Sequence, residues 1–331
     1  RHSASRITFS SDQLPLQLKV ELLSKAKELE NVELDPYVEE GWDKWKNFFM
    51  NQFFGASPEA QKCSIKNGDA ITFRYYPKSR KLRAYASSAI VIENEALGYT
   101  LSYALESFEV DMKDGHTFFI GYPLFIPMVS DKDKKMEKWQ NNRAIAYEGS
   151  VMHFMRCLYA NTMQKEGFSV TRLTRIPNEE KLRIKQVYHP QVIYHTNLNS
   201  NSTYTEFTGE PRGLSRDTLK YYRRIYQQYD SLIILSRTQL TSDSLVKDTT
   251  ANFRIVRFDY TLRVSYKTPG DNEDNMINPH KVYSWSFARL ADDRGLVLGP
   301  NGNYFDSRDL IYGGRWASTE GVATMLPWDY K

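Results

Sequence analysis

The chain has 331 residues, 41% of them hydrophobic and 14% aromatic, enough apolar side chain for a substantial core and too much for a disordered polymer. A net charge of +4, from 44 basic and 40 acidic residues, gives too weak a field to argue for a nucleic-acid partner. No apolar run reaches the roughly 18 to 20 residues of a membrane-spanning helix, so a soluble body with no transmembrane segment is expected.

The chain opens at Arg1 with RHSASRITFS, without an initiator Met or a signal peptide, which fits a processed product or a fragment and leaves the compartment open. Residues Gln13 to Asn31 set Leu16, Val20, Leu23 and Leu29 among Lys and Glu, a modest helical pattern that Asp35-Pro36 breaks. A second helix carries Trp42, Trp45, Phe48, Phe49 and Phe53, with Gly55 placed to end it. This aromatic stripe must be buried somewhere.

From Ala70 the apolar period changes to two. AITFRYYP, KLRAYASS, AIVIEN, YTLSYALESFEVDM and HTFFIGYPLFI predict an antiparallel meander over 70-128, with Lys113-Asp114-Gly115 as a hairpin turn. One long helix is predicted over 130-166, capped by Ser130, running to about Lys165 and stopped by Gly167. Its face is traced by Met136, Trp139, Tyr147, Val151, Phe154, Leu158 and Met163, and it is expected to pack across the sheet as the central core element.

A second β-rich part is predicted over 167-331. Its strands are FSVTRLTRI, QVIYH, SLIILS, FRIVRFDYTLRVSYK, YSWSFARL and LVLG, with a loop or edge hairpin from Asn197 to Gly213 and a helix over Arg216 to Tyr229. Cys63 lies ahead of the first β tract and Cys157 on the apolar helix face. Two unpaired, buried thiols are therefore expected over a disulfide, which leaves the redox compartment open.

Chemistry-bearing motifs are scarce. Gly295, Gly299 and Gly302 lack the Lys-Ser/Thr and the helix that a phosphate-cradling loop needs, and predict a turn. His189 and His195 lack zinc-ligand spacing, Gly-x-Ser-x-Gly is absent, and neither cysteine sits in a thiol-protease context. Asp271, Glu273 and Asn275 in the Pro269 to Asn275 loop alternate like the start of a calcium loop but lack its central Gly and terminal Glu, so a solvated connection is expected. Tyr221, Tyr222, Tyr226 and Tyr229 with Arg216, Lys220, Arg223 and Arg224 fit a buried helix face first, and an aromatic, basic surface for a glycan or a protein second. No catalytic residue, cofactor-binding residue or metal ligand is assigned, and no cofactor is expected.

In the tract KWKNFFMNQFFGASPEAQKCSIKN, Trp45, Phe49, Phe53, Gly55, Ser57, Cys63 and Asn67 follow a pattern of aromatic helix, Phe-Gly-x-Ser break, then Cys and Asn. Ala84, Ile92, Asn94, Leu97, Gly98, Tyr99, Tyr103, Leu105 and Phe108 mark a strand pair. GYPLF (Gly121 to Phe125), NRAIAYEGSVMHFMRCLYANTMQKEGF and NGNYFD through LPWDY extend the pattern. Over Trp45 to Tyr330 the chain resembles the Bacteroidota carboxypeptidase-regulatory-like-domain-containing family of exported proteins, in its C-terminal body; the regulatory-like β-sandwich expected upstream is not visible in this sequence. The resemblance implies export and residence in the periplasm or at the outer membrane, and implies no peptidase. Asp217-Thr218-Leu219, Asp230-Ser231-Leu232, Asp243-Ser244-Leu245 and Asp248-Thr249-Thr250 look like the short O-glycosylation pattern of that phylum.

The expected fold is α+β: antiparallel β-sheets packed around a long central helix, with an N-terminal helical segment at 1-60 and an α+β body at 61-331. The expected function is that of a non-catalytic accessory subunit in an outer-membrane-associated complex, with outer-membrane or periplasmic proteins as partners and the aromatic stripe as a surface they could cover. A glycan-binding surface or periplasmic module is the first alternative, and a hydrolase of cell-envelope material the second.

Overall fold

The computed structural model describes residues 35–113, 115–197, 202–250, 252–266, 285–305 and 307–331, so the predicted helix at Gln13 to Asn31, the calcium-like loop and Asp114 of the hairpin turn lie outside the described residues. The fold is mixed α+β, with several antiparallel sheets.

The first sheet has seven strands: β1 (Val38–Glu40), β2 (Cys63–Ile65), β3 (Ile71–Tyr76), β4 (Lys81–Ala86), β5 (Ile90–Asn94), β6 (Tyr99–Asp111) and β7 (Thr117–Pro127). It is not the simple meander that the sequence predicts. β7 pairs β6 from Tyr99 to Val110, so β5 and β4 share the opposite edge: β5 takes Tyr99 to Tyr103 and β4 takes Glu109 to Asp111. The register shifts between Leu105 and Ser107, in the stretch between those two pairings. An extra residue there bends the strand, which lets β6 serve two short strands that diverge.

The helix α1 (Trp42–Phe54) fills the side of the sheet towards which the apolar half of each strand points. Phe49 and Phe53 are fully buried, with ring centroids 4.7 Å from Phe108 and 5.1 Å from Tyr103 respectively. The aromatic stripe is thus covered by the chain's own sheet and is not left for a partner. Gly55, at φ 85, closes the helix as its position implies.

The predicted helix over 130-166 is two helices, α2 (Asp133–Tyr147) and α3 (Val151–Ala160). Gly149 takes φ 72 between them, and the Ser150 hydroxyl accepts from the His153 N–H to start a new helix. The carbonyl of Gly149 turns aside to accept from the Trp316 indole at 2.9 Å. Asn161, at φ 58, ends α3 well before Gly167. The two halves also have different tasks. α2 buries only Trp139 and hangs on the turn after β5: the Trp139 indole donates to Glu95 O at 2.9 Å, Asn142 Nδ2 to Ala96 O at 2.7 Å and Arg143 Nε to Leu97 O at 2.7 Å. α3 is apolar and enters a second core.

That second core lies under a five-stranded sheet ordered β11-β8-β14-β15-β18 and a four-stranded one ordered β12-β13-β16-β17. In chain order, β8 is Phe168–Pro177, β9 Gln191–Asn197, β10 Ser202–Thr208, β11 Ser231–Gln239, β12 Val246–Thr249 and β13 Arg254–Val256. β14 is Thr261–Tyr266, β15 Trp285–Leu290, β16 Leu296–Leu298, β17 Tyr304–Phe305 and β18 Leu310–Gly314. Phe154, Met155 and Leu158 of α3 meet Phe168, Val170, Leu262, Val264, Ala288, Leu298 and Trp316 there. α4 (Glu179–Val187), the hairpin β9–β10 and α5 (Arg216–Tyr226) form a small satellite around Ile184, Tyr188 and Ile225. The short helix α6 (Ser242–Leu245) caps β12.

After β18, the last helix α7 (Arg315–Thr319) leaves the second core with Trp316 and leads into the first, where Val322, Ala323 and Leu326 are buried. Asn94 Nδ2 donates to Ala323 O at 2.8 Å, while its Oδ1 accepts from the N–H groups of Ala96 and Leu97. A side chain at Gly321 would place Cβ 2.1 Å from Phe54 O, against backbone that cannot yield. Gly321→Ala is therefore expected to lower stability by about 2 kcal/mol or more in chemical denaturation, whereas Gly115→Ala, with open space around its Cβ, measures only the cost of a positive φ.

Candidate interaction surface

β7 alternates two apolar rows. Phe119, Gly121 and Phe125 face α1: Phe119 lies 5.3 Å from Phe53, Phe125 lies 5.4 Å from Tyr99, and a Cβ on Gly121 would meet the Tyr103 ring at 2.3 Å. The other row is Phe118, Ile120, Tyr122, Leu124 and Ile126. Only Ile120 of that row is buried; Phe118 is 39% exposed, Tyr122 50%, Leu124 63% and Ile126 52%, and Val129 just beyond is 88% exposed.

The neighbours on β6 are small, since Thr100 pairs with Ile126, Ser102 with Leu124 and Ala104 with Tyr122, so the large side chains of β7 stand above them. The Tyr122 hydroxyl donates to Glu106 Oε2 at 2.8 Å, which anchors the ring beside the β6 bulge. Among the described residues β7 pairs only with β6, so its far edge is open. Pro123 and Pro127 interrupt the donors on this strand, a device that limits indiscriminate strand pairing at an open edge. An apolar row along an open edge is the kind of surface that proteins bury against another chain.

The residues singled out from the sequence fall elsewhere. Tyr222 and Tyr226 pack on Tyr188 at 5.4 and 5.8 Å in the satellite cluster. Tyr221 donates to Glu180 Oε1 at 2.6 Å, and Tyr229 is exposed. Gly295 and Gly302 take positive φ in turns flanking β16, and the Gly299 N–H donates to Asn303 O at 2.8 Å. His189 is exposed near Gln186 O, and the side chain of His195 is outside the described residues. Among the described residues no three His, Cys, Asp or Glu side chains are grouped as for a metal ion, and no helix is long and apolar enough to cross a membrane. Both cysteines are free and buried, and desolvation pushes the Cys63 thiol up to about 12 and the Cys157 thiol to about 11, which suppresses the reactive thiolate.

The sequence offered no sign of Glu320. It follows α7, and its Oε1 accepts from the Val151 N–H at 3.2 Å, the first turn of α3. Desolvation raises its pKa to about 7, against the opposing pull of the Val151 N–H and of Arg315. The nearby hydroxyls of Tyr304 and Tyr312 are pushed up by burial and by the Glu320 charge. The group ties the segment after α7 to α3.

Because the folded pKa lies above the ordinary 4.5, the folded state holds the Glu320 proton more tightly. Its contribution is fully present below pH 4.5 and is lost as pH rises through about 7. Glu320→Gln keeps an acceptor for Val151 and removes the charge. It is expected to raise stability at pH 8 by about 1–3 kcal/mol, with no gain at pH 4, in denaturant titrations at the two pH values. No family model, curated protein or solved structure matches this chain.

Proposed function

We propose that this protein is a non-catalytic accessory subunit of an outer-membrane-associated complex in a Bacteroidota cell envelope, and that it holds its partner protein on the outer row of β7. The observation that carries the reading is the run Tyr122, Leu124 and Ile126, large apolar side chains each at least half exposed along an open sheet edge. Leaving them in water forgoes roughly 1.5–3 kcal/mol for each side chain that full burial would gain. The location, periplasmic or outer-membrane-associated, rests on the resemblance to exported Bacteroidota proteins.

α1 is no longer a contender for the partner surface, because Phe49 and Phe53 are consumed by the first core. β7 takes its place. The contact is made mainly by side chains, since Pro123 and Pro127 thin the backbone donors, and Tyr122 with Glu106 offers a polar point in the middle of an apolar strip.

A photo-crosslinking residue at position 124 is expected to capture one discrete envelope protein in living cells, and the same residue at Lys78, on the turn between β3 and β4, to capture none of it. Leu124→Lys with Ile126→Lys should leave thermal unfolding nearly unchanged, within about 0.5 kcal/mol, because both sites are exposed. The same double variant should run as a monomer where the wild type runs in a complex after mild solubilisation. A wild-type monomer, or a variant that retains its complex, contradicts the reading.

A further inference from the structure

Away from β7, α5 and β10 line a wide, open cleft of about 580 Å³. One wall is α5, with Lys220, Arg223 and Arg224 at three- and four-residue spacing on one helix face. The other is β10, with Thr205, Glu206 and the ring of Phe207.

Three cations on one face repel one another unless something neutralises them. Only Arg223 is neutralised. Its Nε donates to Glu210 Oε1 at 2.8 Å, and Glu210 also accepts from the Tyr188 hydroxyl. Arg223 and Tyr188 hold the Glu210 carboxyl below its usual range, so Glu210 is committed and Arg223 is fixed in place.

Lys220 and Arg224 have no carboxylate partner among the described residues; Arg224 instead stacks over Tyr221, with its guanidinium carbon 5.4 Å from the ring centroid. Both are exposed and line the cleft. Phe207 lines the cleft and packs edge-on against Tyr226 at 6.0 Å, which holds its ring in place. Thr205 and Gln227, which also line the cleft, supply hydroxyl and amide groups.

This combination selects a ligand class. Two uncommitted cations suit one or two negative charges. A preset aromatic surface ringed by hydrogen-bonding groups suits a polyhydroxylated ring. We infer that the cleft between α5 and β10 binds an acidic saccharide, with a uronate carboxylate between Lys220 and Arg224 and a sugar ring on Phe207. The inference is independent of β7, and either can fail without the other.

Titration calorimetry of the full chain with trigalacturonate, at low ionic strength, is the test. Binding is expected for trigalacturonate, with none for neutral maltotriose at the same concentration. Lys220→Gln with Arg224→Gln should weaken it at least about tenfold, a loss of about 1.4 kcal/mol, with an unchanged unfolding temperature. Phe207→Leu should also weaken it, which simple charge attraction does not predict. Absence of heat with trigalacturonate, equal binding of maltotriose, competition by citrate at equal charge concentration, or full affinity in the Lys220/Arg224 double variant would each overturn the inference.

Discussion

Both hydrophobic cores close on the same short stretch of chain. Trp316 fills the second core, and a few residues later Val322, Ala323 and Leu326 fill the first. The crossing is fixed by contacts that tolerate little change: the Trp316 indole on the Gly149 carbonyl, the Asn94 amide on the Ala323 carbonyl, and Gly321 against the Phe54 carbonyl. Arg156 secures the end of the chain by donating to the carbonyls of Asn301, Trp328 and Tyr330 at 3.0, 2.9 and 2.8 Å. The aromatic, glycine-rich ending is thus structural, and its side chains are committed to the junction between cores.

The same economy explains the helix break. A continuous helix from Asp133 to Ala160 would run its polar half and its apolar half in one line, although the first must hang on the turn after β5 and the second must lie in the second core. Gly149 at positive φ and Ser150 as a cap solve this, and the Gly149 carbonyl released by the break becomes the Trp316 acceptor. On the far side of the first sheet, the bulge of β6 lets one long strand serve β4 and β5 together, which leaves β7 alone on the other edge. The exposed row of β7 is a consequence of that layout.

Much of the fold was legible in the sequence wherever one physical signal acted alone. The period of two from Ala70 marked the strands of the first sheet, and the spacing of Trp42, Phe49 and Phe53 marked α1 with its end at Gly55. The single helix over 130-166 failed because apolar spacing carries across Gly149 without a break in period, while a lone glycine inside a helical pattern is tolerated. The pairing of β4 with β6 was hidden because strand order depends on the bulge, which leaves no local mark. The row on β7 did leave a signal: HTFFIGYPLFI is apolar on both parities, although α1 covers one face only. Glu320 was invisible, since its perturbation comes from burial in the folded chain, beside an α3 that lies far away in the sequence.

Joined by the crossing segment, the two cores should open as one cooperative body, which presents β7 and the α5 cleft as fixed surfaces. Native-state hydrogen exchange tests this directly, by comparing amides of Ile92 and Leu101 in the first core with Val264 and Ala288 in the second. One common opening free energy is expected for the four, with a parallel fall of all four when Gly321→Ala loosens the crossing. Two separate plateaus in the wild type, or a Gly321→Ala effect confined to one core, would contradict it.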